Sequence, residues 1–210
     1  FYLFKSKTDS SGFRRKKYSR LIMNELLTDQ IFENHNFAEN SLVADFEDCV
    51  FKSCVFAKAN LSKLTFTNCT FENCDWSAAK LVQTAFQECE FSSCKMLGIA
   101  FEACNTFLFQ IYCAQCTLDF SSFYQVDLSS SQFSQCQFKE ADFTEANLSG
   151  VFLDECNLAG ATFDQTNLEK TDFSSAVHYE LNPDENKIRG AIFSKEGLVG
   201  LLSSYHIKIV

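Results

Sequence analysis

The sequence is short of the residues that punctuate most chains, with one proline and seven glycines among 210 residues. So sparse a supply excludes a collagen-like or low-complexity chain rich in both. No apolar run approaches the ~20 residues that a membrane-spanning helix needs, so no membrane contact is expected. The three histidines are His35, His178 and His206, and none stands at metal-ligand spacing from a second ligand. No glycine-rich phosphate loop and no nucleophile motif occurs. These absences remove the common catalytic and ligand-holding classes, and we expect no enzyme, no cofactor and no metal.

Phenylalanine and cysteine are abundant, at 24 and 11 residues. Every fifth position from Leu118 is Phe or Leu: Leu118, Phe123, Leu128, Phe133, Phe138, Phe143, Leu148, Leu153, Leu158, Phe163, Leu168 and Phe173. An earlier block repeats the rule with Phe46, Phe51, Phe56, Leu61, Phe66, Phe71, Trp76, Leu81, Phe86, Phe91, Met96 and Phe101. A helix stripe recurs at about 3.6 residues and a strand face at two. A strict period of five is neither, and marks a repeat architecture.

A small residue stands two before each centre from Leu118 to Phe173 and before most of the earlier ones, and its cysteines disclose a second period. Cys49, Cys69 and Cys89 lie 20 apart, as do Cys54, Cys74 and Cys94, and again Cys116, Cys136 and Cys156. Four five-residue steps therefore return the chain to one face, each step turns a quarter circle, and the coils stack at the strand spacing of ~4.8 Å. The expected fold is an all-β, four-sided solenoid whose core ladder is the two rows of centres. Each buried Phe contributes roughly 1.5–3 kcal/mol. Cysteines stacked ~4.8 Å apart are wider than the ~3.8 Å Cβ separation of a disulfide, so they read as free buried thiols in a reducing cytoplasm. Cys104 and Cys113 fall off the column and are the two expected to react. Cys113-Ala114-Gln115-Cys116 is a CxxC with no second pair nearby, which argues against zinc.

The five-residue motif, as in Ala146-Asn147-Leu148-Ser149-Gly150 and Ala141-Asp142-Phe143-Thr144-Glu145, resembles the pentapeptide-repeat family over roughly residues 31–176. That resemblance implies a right-handed quadrilateral β-helix, the handedness coming from the family alone. Cys94-Lys95-Met96-Leu97-Gly98 and Ala191-Ile192-Phe193-Ser194, with the Leu-rich stretch that follows, look like the topoisomerase-protecting branch. That branch holds quinolone-resistance and albicidin- and microcin-immunity proteins. The implied function is a DNA mimic that binds DNA gyrase or topoisomerase IV as a homodimer.

The chain divides into residues 1–22, 23–176 and 177–210. Residues 1–22 hold seven basic residues and one acidic; the reading is a disordered or non-native leader, with Met23 as a plausible start, or else a nucleic-acid arm at Phe13–Tyr18. The chain from Met23 then carries −15 rather than −9. A ragged first coil has centres Phe32, Phe37 and Leu42. Residues 102–117 break register by two and are expected to bulge or kink. Asn182-Pro183-Asp184 signals a turn. Ser194 is expected to cap a short helix over 195–204, weakened by Gly197 and Gly200, and Tyr205–Val210 reads as a final strand. This end is a cap, and by family resemblance a dimer contact through Leu198, Leu201, Leu202, Tyr205, Ile207 and Ile209.

The block from Leu118 to Phe173 is acidic. It holds Asp119, Asp127, Glu140, Asp142, Glu145, Asp154, Glu155, Asp164, Glu169 and Asp172 against Lys139 and Lys170, a net −8. Its three coils span ~14 Å at the strand spacing, over which duplex DNA carries ~8 charges. The alternatives are a DNA-mimicking partner surface of these ten acids, with no direct nucleic-acid binding, and a scaffold rod for another protein.

Overall fold

The computed structural model describes residues 25–38, 44–205, 207 and 208. The basic segment 1–22, Met23, the first-coil centre Leu42, His206 and the terminal Ile209 lie outside the described residues. The described chain winds as a parallel solenoid of about eight turns closed by one short C-terminal helix.

Each pentapeptide builds one side of the square. The small residue and the centre point inward, the residue between them points out, and the last two turn the corner. The corner is a hydrogen-bonded turn: Ala59 N–H donates to the Phe56 carbonyl at 2.9 Å and Leu64 N–H to that of Leu61 at 3.2 Å. Its third residue is left-handed, with φ of 59° at Lys58 and 66° at Lys63, as a type II turn requires. Asp, Asn or Gly suits such a site, yet lysine, glutamate and alanine occupy many of them.

The first face is the parallel sheet β1 (Glu25–Thr28), β3 (Ala44–Glu47), β5 (Thr65–Thr67) and β7 (Ala85–Gln87), which sets Leu27, Phe46, Phe66 and Phe86 in register. The second face runs through β2 (Ile31–Glu33), β4 (Val50–Lys52), β6 (Thr70–Glu72), β8 (Cys89–Ser92), β9 (Ile111–Ala114), β10 (Gln132–Ser134) and β11 (Leu153–Asp154). The third and fourth faces are held by single bridges such as Asp75↔Lys95 and Ser122↔Asp142. Inside, the rings stack rung on rung: Phe51 to Phe71 and Phe71 to Phe91 at 4.8 Å, and Phe56 to Trp76 at 4.2 Å. Rings on adjacent faces meet edge to face, as Phe51 and Phe56 do at 5.5 Å, the arrangement that aromatic quadrupoles favour.

The small column does more than fill space. Cys74, Cys94 and Cys116 donate their thiols to the carbonyls of Phe51, Phe71 and Phe91 one coil below, at 3.3–3.4 Å. Thr84, Ser121, Thr166 and Thr171 do the same with hydroxyls at 2.7–2.9 Å. A buried donor is therefore satisfied wherever the column is polar. All eleven cysteines are free and buried.

The register break at residues 102–117 is a bulge. Phe91 pairs with Cys113, a coil of 22 residues instead of 20. The excess is put out at Phe107 and Leu108, which are 68% and 64% exposed, while Phe109 turns back into the core. This corrects the expectation for Cys113: the bulge carries it into the centre row of the second face, in register between Phe91 and Phe133. Cys104 is buried too, and burial pushes both thiols up. Neither stands out as a reactive surface cysteine.

Parallel pairing continues past residue 176. Asn157 bridges Val177, Asn167 bridges Lys187, and β12 (Asp172–Phe173) pairs with β13 (Ile192–Phe193). The backbone completes nearly another turn after the five-residue motif fades. The end helix follows as a 3-10 turn at Glu196–Leu198, α1 at Val199–Leu202 and a second 3-10 turn at Ser203–Tyr205. Ser194 Oγ accepts the Gly197 N–H at 3.0 Å. Gly197 and Gly200 are there for close approach: a Cβ on either would collide with Tyr179, and Leu181 N–H donates to the Gly200 carbonyl at 3.1 Å. The expected final strand is absent from the described residues, since Tyr205 ends the 3-10 turn and Ile207 and Lys208 join no ladder.

Candidate partner-binding surface

The core is filled rung by rung, so chemistry has to sit on the outside. Among the described residues no cluster of His, Cys, Asp and Glu is arranged for a metal ion, and no helix is long and apolar enough to cross a membrane.

The register distributes the ten acids around the rod. Asp127 and Glu169 lie on the first face, and Asp154, Glu155 and Asp172 on the second. Asp119 and Glu140 lie on the third, and Asp142, Glu145 and Asp164 on the fourth. The structure does not bring them onto one surface. Several also hold the coil. Asp127, Asp142 and Asp172 each accept the backbone N–H two residues on, at 2.8–3.0 Å. Asp119 accepts the Lys139 N–H one coil away at 3.0 Å. Asp154 accepts hydroxyls from Ser134 and Ser175. Glu145 takes the Gln125 amide at 2.7 Å, Glu155 that of Gln135 at 2.8 Å, and Glu140 lies 3.9 Å from Lys139. The Glu145 charge beside the exposed Tyr124 hydroxyl raises that phenol above its ordinary value.

Acids upstream of Leu118, which the lysines of the same stretch largely offset along the chain, fall on particular faces. Asp29, Asp45, Glu47, Asp48 and Glu88 lie on the first face, and Glu33, Glu72 and Glu90 on the second. The lysines that balanced them on paper, Lys58, Lys63, Lys80 and Lys95, lie on the third and fourth faces, where Lys95 meets Asp75 at 3.9 Å. On the second face Lys52, paired to Glu72 at 3.4 Å, and Lys195 at the C-terminal end oppose six acids from Glu33 to Asp172. The first face turns basic only at its C-terminal end, at Lys170, Lys187 and Arg189. The charge asymmetry thus runs around the rod as well as along it. Writing the sequence in rows of 20 would have disclosed it.

The second face is also concave. A groove of about 990 Å³ runs along it from Thr70 to Phe152, past Glu72, Glu90, Tyr112, Gln132 and Asp154. Phe152 stands 48% exposed at its end.

At the C-terminal end, Leu198, Tyr205 and Ile207 are exposed, and the Tyr205 hydroxyl donates to Asp184 at 3.0 Å. Leu202 is half-buried, and Leu201 packs inward against the core. A smaller hollow of about 510 Å³ between Tyr179, His178, Val199 and Ile207 borders them.

Family models agree with this geometry. A pentapeptide repeat region model matches residues 44–119, and a pentapeptide repeats model matches residues 108–144 and 136–174. The chain belongs to the pentapeptide-repeat family. No curated protein sequence matches it. Among solved structures it is similar to a trypsin-treated form of QnrB1, a plasmid-mediated fluoroquinolone resistance protein. The identity is 18%, 90% of this chain and 99% of that one are covered, and the TM-score is 0.58. It is similar also to HetL, a pentapeptide repeat protein involved in heterocyst differentiation regulation from the cyanobacterium Nostoc sp. strain PCC 7120, at 17% identity, 85% and 90% coverage and a TM-score of 0.47. At such identity the likeness to QnrB1 establishes a shared right-handed quadrilateral β-helix.

Proposed function

We propose that this pentapeptide-repeat protein is a DNA mimic that binds DNA gyrase or topoisomerase IV and protects it from quinolone or peptide-toxin poisons. The observation that carries this reading is the charge density of the rod. A net −8 over three coils equals that of duplex DNA over the same ~14 Å. The fold shared with QnrB1 supports the same direction. The rod acts without catalysis: it offers the enzyme's basic DNA channel a rigid negative surface, and competes with DNA or dislodges the poison. It binds no nucleic acid itself, since its own charge repels phosphate. The exposed Leu198, Tyr205 and Ile207 pair two rods end to end as a homodimer. Eleven free thiols suit a reducing cytoplasm.

The experiment is gyrase supercoiling and poison-induced cleavage with titrated protein, using quinolone, albicidin-like and microcin-like poisons in parallel. Protection that weakens when the acids between Asp119 and Asp172 are neutralised is the expected result. No effect at micromolar protein from a folded sample abandons the reading. A scaffold rod for a different protein is the second reading; the projecting Phe107–Leu108 pair, an apolar knob on a polar rod, favours it.

A further inference from the structure

The four faces differ. The first face holds Asp29, Asp45, Glu47, Asp48, Glu88, Asp127 and Glu169 before it turns basic at Lys170, Lys187 and Arg189, so charge alone does not separate it from the second; the groove does. The third face is close to neutral, its Asp75 and Glu140 lying beside Lys95 and Lys139. The fourth mixes Glu102, Asp142, Glu145 and Asp164 with Lys63 and Lys80. The second face carries Glu33, Glu72, Glu90, Asp154, Glu155 and Asp172 against Lys52, already paired to Glu72, and Lys195 at its C-terminal end. It is the longest sheet, with seven strands, and it carries the long groove. From the Thr70 rung to the Phe152 rung is four steps, ~19 Å at the strand spacing. Carboxylates stand at both ends of that path. Between them lie Tyr112 and uncharged polar side chains, and Phe152 faces outward at the far end. Carboxylates attract cationic side chains, and an aromatic face adds a cation–π contact within about 6 Å. Acids alone would attract any cation; a groove with an aromatic ring and fixed polar rungs favours an extended chain laid along the axis.

We infer that the second face is the docking side of the rod, and that its groove takes a lysine- and arginine-bearing surface segment of the protein partner. The segment lies along the rod axis, with a cationic side chain over Phe152 and others beside the groove acids Glu72 and Glu90 and beside Glu155, which follows the lining Asp154. For the identity of the natural partner this rests on the topoisomerase reading; the chemistry of the occupant does not.

The test uses matched triple variants. One set, Glu72→Gln, Glu90→Gln and Glu155→Gln, lies on the second face. The other, Glu102→Gln, Glu140→Gln and Asp164→Asn, removes the same charge from the third and fourth. Circular-dichroism melts verify that both fold. Binding to intact gyrase is expected to weaken at least tenfold for the second-face set and less than threefold for the other. Equal weakening overturns the inference and leaves the topoisomerase reading standing. If the unaltered chain does not bind gyrase, that reading fails, and a second readout decides the inference. Deca-lysine is titrated against Phe152→Trp and, as control, Val82→Trp on the fourth face. A salt-sensitive fluorescence change at position 152, absent at 82 and abolished by the second-face set, supports the groove. An equal response at both positions, or none at either, overturns it.

Discussion

Cys113 pairs in register with Phe91 on the second face, standing where the neighbouring coils place phenylalanine. Its thiol is sealed in the core. Burial likewise pushes the Cys89 thiol up to about 12, so little of it is thiolate at neutral pH, and the thiolate is the reacting form. A native sample mixed with an aromatic disulfide reagent is expected to release no fast chromophore. All eleven thiols should react after denaturation. One or two fast thiols that vanish in Cys104→Ser or Cys113→Ser would contradict the burial described.

Two phenylalanines measure the core against the surface. Phe123 is fully buried, stacked 4.6 Å from Phe101 and 5.0 Å from Phe143. Phe123→Ala is expected to cost about 3–5 kcal/mol. Because each coil touches only its neighbours, the urea transition should broaden or split. Phe152→Ala, at an exposed position, should stay within about 0.5 kcal/mol of the unaltered chain. A comparable loss from both would mean that the inward and outward register is misassigned.

Ala78 occupies a corner at φ 54°, where a Cβ costs roughly 1–2 kcal/mol. Ala78→Gly releases that strain and surrenders part of it to the looser unfolded chain. The expected result is a net gain of about 0.5–1 kcal/mol and a higher melting temperature. Ala57→Gly, at ordinary φ, should lower it.

The end cap depends on contact between backbone and ring. Gly200→Ala drives a methyl into the Tyr179 backbone and is expected to cost about 1–3 kcal/mol. Hydrogen exchange should show the loss confined to the stretch from Leu181 to Tyr205. Uniform loss along the rod would deny the cap its local character.

Burial raises the Tyr179 hydroxyl above its ordinary value. A raised folded value means that the neutral phenol is favoured in the folded state. That contribution is complete below the unfolded value of about 10 and is lost as pH rises through the higher folded one. Melts above pH 10 should therefore fall more steeply for the unaltered chain than for Tyr179→Phe, and coincide in slope below it. Identical slopes throughout would remove the role assigned to this phenol.

The ladder from Phe46 to Phe173 was legible because each core position repeats one requirement, an apolar side chain that fills a quarter of the square. Where the requirement changes, the letters mislead. Cys113 looked displaced because the count of five cannot show where two extra residues are expelled; only the pairing of Phe91 with Cys113 does. The turn after Ala176 was hidden because its inward positions are filled by Tyr179, Leu181 and Ile188 at irregular spacing. Gly197 and Gly200 read as helix weakeners, because the Tyr179 surface they must approach lies about 20 residues earlier. The acids between Asp119 and Asp172 were found, but summing them along the chain merged four faces. Glu90 was masked by lysines that lie on the third and fourth faces, and Glu72 by Lys52, its partner on the second.

The corner geometry fixes how this molecule can change length. Every coil beyond an insertion inherits its phase. Twenty added residues lengthen the rod and leave each side chain above its old neighbour. Five added residues rotate everything downstream by a quarter circle, so that the acids of one half no longer continue those of the other. Expelling two residues at Phe107 and Leu108 keeps the phase: Glu90, Tyr112 and Gln132 still lie in one row. Growth and loss in whole coils, with smaller changes pushed out as bulges, is the variation such a rod can accept while keeping its sides distinct.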